Sequence, residues 1–124
     1  MARILVADDD LDQIKLRKAL LEAGGHDVDI ALSPTTTAQV LEHAAVDLVL
    51  MDLRFRNSEG EPDSREGLAL IRRIRALGCQ SPVVVLSGWP EELYGQPEES
   101  MVSRVLVKPI SMAVLLQTVE ELAA

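Results

Sequence analysis

Apolar runs of strand length recur along the chain at residues 4–7, 28–31, 48–51, 83–86 and 105–107, each beside polar or turn-forming residues. Apart from Asp29 in the second, they lack polar alternation, which predicts strands buried on both faces. Between the runs the apolar spacing becomes helical. Leu16, Ala19, Leu20 and Ala23 share one face, as do Leu70, Ile71, Ile74 and Leu77, and again Leu115, Leu116, Val119 and Leu122. Gly24 and Gly25 predict the end of the first helix, Ser33 and Pro34 the start of the second, Gly78 the end of the third, and Ser111 a cap on the last. Strand and helix therefore alternate. That order predicts an α/β fold: a doubly wound, five-stranded parallel sheet with helices on both faces. One stretch breaks the rule, because Gly95 and Pro97 interrupt the segment after Ser87 where a fourth helix belongs. One short helical turn and a mobile loop are expected there.

Composition narrows the function. At 124 residues and 48% apolar content, the chain has the size and core of one domain spanning residues 1–124. A net charge of -8 opposes direct nucleic-acid binding, and the one basic cluster, Arg72, Arg73 and Arg75, reads as a solvated helix face. Cys79 is the only cysteine, which excludes an internal disulfide and a cysteine-built zinc site. The apolar start ends at Asp8, too short for a signal peptide or membrane span, so a cytoplasmic protein that does not bind membranes is expected.

In a parallel sheet, ligands collect at the carboxyl ends of the strands. This topology brings Asp8, Asp9 and Asp10 there after the first strand, Asp52 after the third, Ser87 after the fourth and Lys108 after the fifth. Close carboxylates must take up protons or recruit a cation, and oxygen-only donors select a hard ion such as Mg2+. Asp52 can then serve as an oxygen nucleophile toward a phosphoryl donor. The metal, the Lys108 ammonium and the Ser87 hydroxyl would balance the charge on the transferring group.

Four blocks carry a family resemblance: Ile4-Leu-Val-Ala-Asp-Asp-Asp10, Leu48-Val-Leu-Met-Asp52, Val84-Val-Leu-Ser87-Gly88 and Val107-Lys108-Pro109. In this order, each at its own strand end, they resemble the signature of bacterial response-regulator receiver domains across the whole chain. The resemblance implies a flavodoxin-like receiver fold and a phosphoacceptor in a two-component phosphorelay, not a substrate-turning enzyme. It implies Mg2+ held by Asp9, by Asp8 largely through water, by Asp52 and by the Arg54 backbone carbonyl, with a cis peptide at Lys108-Pro109. A sensor histidine kinase or phosphotransfer protein would supply the phosphoryl group, an unidentified protein target would read it, and a homodimer is possible. Because the chain begins with Met1 and nothing follows the last helical stretch, a stand-alone or N-terminal receiver is expected.

Three departures from the family pattern predict an unusual readout. The segment from Arg54 to Glu66 is longer than the family's usual connection and reads first as a solvated insertion, with a lid or docking element as the sharper reading. Val105 stands where many receivers carry a reporting Tyr or Phe. Arg54 and Trp89 stand two residues beyond Asp52 and Ser87, where the family flanks the path of the hydrolytic water, and their bulk predicts slow loss of the phosphoryl group unless both simply point into solvent. Asp10 reads as a helix-start residue, His26 and His43 as surface or turn histidines, and Cys79 as structural. Trp89 and Tyr94 read as loop-packing aromatics or partner contacts. A haloacid-dehalogenase-type phosphatase needs an Asp where Arg54 stands, and a flavin site needs a Ser/Thr/Gly-rich loop where Asp8 to Asp10 stand. The remaining alternative is a pseudo-receiver, an interaction module that keeps the fold without phosphorylation.

Overall fold

A computed structural model describes residues 1–123. Strands β1 (Arg3–Ala7), β2 (Asp27–Ala31), β3 (Leu48–Asp52), β6 (Val83–Ser87) and β7 (Arg104–Val107) form a five-stranded sheet in the order β2-β1-β3-β6-β7. Every neighbouring pair is parallel. Helices α1 (Leu11–Ala23), α2 (Pro34–His43), α3 (Ser64–Ala76) and α4 (Met112–Leu122) cover its faces. The expected architecture is therefore present, with each apolar run extended by one residue at one end.

The alternation of side chains along a strand divides the core into two layers. Leu5, Val49, Met51, Val83 and Val85 pack with Leu70, Ile71 and Ile74 of α3, while Ile4, Val6, Leu48, Leu50, Val84 and Leu86 pack with Ile14, Leu21, Leu115 and Val119 of α1 and α4. Burial on both faces holds for β1, β3 and β6 but not for β2 and β7. These two lie at the sheet edges, where one flank has no neighbouring strand.

The inward stripe of α1 differs from the expected one: Ile14, Arg17 and Leu21 are buried, Ala19 and Ala23 are exposed, and Leu16 is 56% exposed. The spacing of three and four still holds, but a cation occupies its middle position. Leu16 and Leu20 instead line a cleft of about 530 Å³ opposite Ile110 and Leu115.

The long segment after Asp52 is a β-hairpin of β4 (Phe55–Arg56) and β5 (Pro62–Asp63), paired antiparallel with Phe55 opposite Asp63. It is not merely a solvated insertion, because Phe55 is fully buried in the core layer beneath α3. Removing such a side chain from water contributes roughly 1.5–3 kcal/mol. Asn57 Oδ1 accepts the Glu59 and Glu61 N–H groups, and Gly60 supplies the positive φ of 79° that the turn uses. Asp63 then caps α3 by accepting the Arg65 N–H. Gly67 lets α3 lie directly on the strand end: a Cβ there would sit 2.0 Å from the Leu53 carbonyl oxygen.

Two short 3-10 turns, Pro90–Glu92 and Pro97–Met101, stand in place of a helix between β6 and β7. The interruption at Gly95 and Pro97 was expected, but a second turn forms beyond it. The segment is tied down through Glu98, which is buried and paired with Arg72, and through Arg75, whose guanidinium donates to the carbonyls of Met101, Cys79 and Ser81. The expectation of a solvated basic face on α3 holds for Arg72 and Arg73, which are exposed, and is corrected for Arg75, which the carbonyls of the chain beyond draw in. No helix among the described residues is long and apolar enough to cross a membrane.

Candidate functional site

The strand order reverses at β1, which continues to β2 on one side and lies beside β3 on the other. A crevice opens at the carboxyl ends of strands at such a switch point. Asp8, Asp9 and Asp10 leave β1 and Asp52 ends β3 there, lining a cleft of about 520 Å³ with Arg54, Arg56, Gly88, Trp89 and Lys108.

Asp52 and Lys108 meet, with Lys108 Nζ 3.1 Å from Asp52 Oδ2. Register explains this: Ser87 lies opposite Val107, so Lys108 emerges beside Ser87, and its N–H donates to the Ser87 carbonyl at 2.9 Å. The Lys108–Pro109 peptide is cis, as the resemblance implied. Burial pushes the Asp52 carboxyl above its ordinary value; Lys108 opposes that rise and the nearby Asp8 charge adds to it. Asp52 thus keeps a cation at hand and is easier to protonate than a surface aspartate.

Asp8 is almost fully buried, and both its oxygens are engaged. Oδ1 accepts the Asp10 N–H at 2.9 Å, and Oδ2 accepts from Arg17 Nη1 at 2.5 Å. Asp9 Oδ2 accepts the Arg56 N–H at 2.7 Å, which ties the hairpin to the cleft. Asp10 caps α1, its Oδ1 accepting the Asp12 and Gln13 N–H groups. This is the helix-start role expected of it.

Ser87 lies apart from these pairs. It is buried, and its Oγ accepts the Trp89 N–H at 2.9 Å, which leaves the hydroxyl proton free to donate. Arg54 and Trp89 do not point separately into solvent. The Arg54 guanidinium lies 3.6 Å from the Trp89 ring centroid and grips Glu92 with two hydrogen bonds of 2.8 and 3.0 Å. Stack and ion pair together span the side of the cleft next to Asp52.

The donor set suits a hard ion in kind, because Asp8, Asp9 and Asp52 offer only oxygen. No three metal-binding side chains among the described residues close on one point as a ready-made cage. Mg2+ does not require one, since it commonly takes one or two carboxylates and keeps several waters. Other candidates fall outside the cleft: His26 Nδ1 accepts the Ala2 N–H, His43 is exposed on α2, and Cys79 packs against the core.

The family model described as "Response regulator receiver domain" matches residues 4–120. This chain belongs to the response-regulator receiver family. The receiver is 28% identical over 122 residues to the transcriptional regulatory protein ZraR of Escherichia coli, a match covering 98% of this chain and 26% of that protein. It thus spans about a quarter of the length of that relative. Among solved structures, a CheY-like receiver domain from Methylobacillus flagellatus aligns with a TM-score of 0.83 and 26% identity over 98% of both chains. The response regulator TrrA of Thermotoga maritima, solved in complex with Mg2+ and BeF, aligns with a TM-score of 0.81 and 23% identity over 98% of this chain and 99% of that one.

Two contacts to the cleft's carboxylates, from Arg17 to Asp8 and from Arg56 to Asp9, were not expected from the sequence. Arg17 carried a signal, since it stands between Ile14 and Leu21 on the inward stripe of a helix that starts at the acidic cluster. The Arg56 contact carried none, because a backbone N–H donates regardless of residue type.

Proposed function

We propose that this receiver accepts a phosphoryl group on Asp52. The reading rests on one observation above all: Asp52, at the carboxyl end of a central strand, faces Lys108 Nζ at 3.1 Å inside a cleft that also holds the Asp8 and Asp9 carboxylates. A carboxylate oxygen of Asp52 attacks phosphorus, the bond from phosphorus to the donor breaks, and the donor leaves with that electron pair. The product on Asp52 is an acyl phosphate. Lys108 stays beside the transferred group and neutralises part of its charge, while the Ser87 hydroxyl turns from its buried position to donate to a phosphoryl oxygen.

Asp8, Asp9, Asp52 and the Arg54 carbonyl would hold Mg2+, which when bound supplies charge neutralisation to the phosphoryl oxygens. TrrA, which shares the fold, was solved with Mg2+, which supports a metal here by analogy but names no ligand. The donor is a histidine kinase or phosphotransfer protein in the cytoplasm. Movement of Ser87 draws on Trp89, whose N–H it holds, and so alters the 3-10 segment that a target protein, or a second copy of the chain, reads. The receiver is a signalling acceptor whose chemistry is confined to its own aspartate.

Intact mass after incubation with Mg2+ and acetyl phosphate tests the reading. A one-phosphate increase that vanishes in Asp52→Asn is expected. A folded protein that gains no mass under these conditions would sink it in favour of the pseudo-receiver, which no contact in the cleft favours.

A further inference from the structure

Arg17 has no part in the chemistry proposed above, yet it holds one of the residues assigned to Mg2+. Its guanidinium is one-tenth exposed, lies on the inward stripe of α1 and takes Asp8 Oδ2 at 2.5 Å. With Asp10 N–H on the other oxygen, each Asp8 oxygen has a hydrogen-bond donor. No buried side-chain nitrogen or oxygen among the described residues lacks a hydrogen-bond partner. Each of the two carboxylates thus has its own cation, Arg17 facing Asp8 and Lys108 facing Asp52.

We infer that Arg17 is a resident counter-cation that competes with the divalent ion for Asp8 and so sets the receiver's metal affinity. The inference rests on the metal assignment made above. An arginine cannot shed its charge at any ordinary pH, so it must either share Asp8 with a second cation or leave it. Sharing places a monovalent and a divalent cation on one buried carboxylate, where their repulsion is poorly screened. Leaving is open to it, because Arg17 also lines the cleft between α1 and α4, beside Gln13 and Leu20. The coupling is reciprocal: whatever factor Arg17 takes from ion binding, the ion takes from the Arg17–Asp8 pair. Arg17 is thus a positioning residue, which aims the Asp8 carboxylate.

Calorimetric Mg2+ titration of the full chain tests this with Arg17→Met and Arg17→Lys. Removing the charge should tighten Mg2+ binding roughly tenfold or more and enlarge the rise in Tm that Mg2+ produces, as expected for loss of a like charge near the ion. Arg17→Lys, which keeps the charge, should stay close to the wild type. Equal or weaker Mg2+ binding by Arg17→Met overturns the inference and leaves Arg17 a structural residue. Should that variant fail to fold, the wild type carries the test through its arginine side-chain NMR signals. The Arg17 guanidinium resonance should shift on Mg2+ addition with the midpoint seen by calorimetry, and a resonance that stays still while Mg2+ binds overturns the inference. Failure here with Asp52 still phosphorylated leaves the phosphoacceptor reading intact. Mg2+ binding that depends on Arg17 without any phosphorylation sinks that reading alone.

Discussion

Two carboxylate–cation pairs at the acidic cleft and behind it are built on different terms. Arg17 and Asp8 are 10% and 1% exposed at their side chains, whereas Lys108 and Asp52 are 31% and 13% exposed and stand slightly farther apart. A buried pair whose partners are both hydrogen-bonded parts only when another cation takes over the carboxylate, because parting it otherwise strands a charge away from water. A half-open pair can be parted and re-formed around an incoming group at little cost. The difference teaches that the acceptor side is open to an incoming group, and that the acidic side beside it yields its arginine only to another cation.

The largest expected effect separates the pairs by stability. Arg17→Met should cost about 3–5 kcal/mol because it leaves Asp8 buried and unpaired. Lys108→Met should cost about 1 kcal/mol or less. Urea unfolding of both variants without Mg2+ checks this, and equal losses would erase the contrast.

Next in size is the pH response of Asp52. Its folded carboxyl titrates above the ordinary value because burial disfavours the charge. In the window between the ordinary and raised values the folded state therefore binds more protons than the unfolded state. Stability must fall as pH rises through that window, and the ionised carboxylate remains a cost above it. Asp52→Asn should then be more stable than wild type at neutral pH and should lose less stability on leaving acid. Thermal melts across the window decide the matter, and a less stable Asn variant at neutral pH would mean that Lys108 outweighs burial.

The smallest effect on stability is expected at the rim. Arg54→Asn and Trp89→Ala each remove the stack, which is worth about 1 kcal/mol, yet each should shorten the life of the phosphorylated form by opening room for water beside Asp52. Timed loss of the phosphate mass measures this. An unchanged lifetime in both variants would confine the stack to a structural role.

Much of the fold was legible because apolar runs and turn residues act locally. The breaks at Gly24, Gly78 and Pro97 and the caps at Ser33 and Ser111 follow from backbone and side-chain chemistry within a few residues. The face of α1 was not, because the stripe through Leu16 and Leu20 is unbroken by charge while Arg17 interrupts the one through Ile14 and Leu21. The hairpin was missed for a similar reason: charged residues surround Phe55, and its burial depends on the space between β3 and α3. The assigned site residues were found through the regularity of parallel strands, whose carboxyl ends must gather at one edge.

By itself, the sequence determined the alternation of strands and helices, the set of oxygen donors and the lysine at the sheet's edge, since periodicity and residue type suffice for these. Only the tertiary structure decided that Arg17 faces Asp8, that Arg54 grips Glu92 across Trp89, and that Arg56 ties Asp9 to the hairpin. These are contacts between elements distant in sequence or turned inward against their polarity. Their strength comes from burial and mutual distance, which no stretch of chain carries alone.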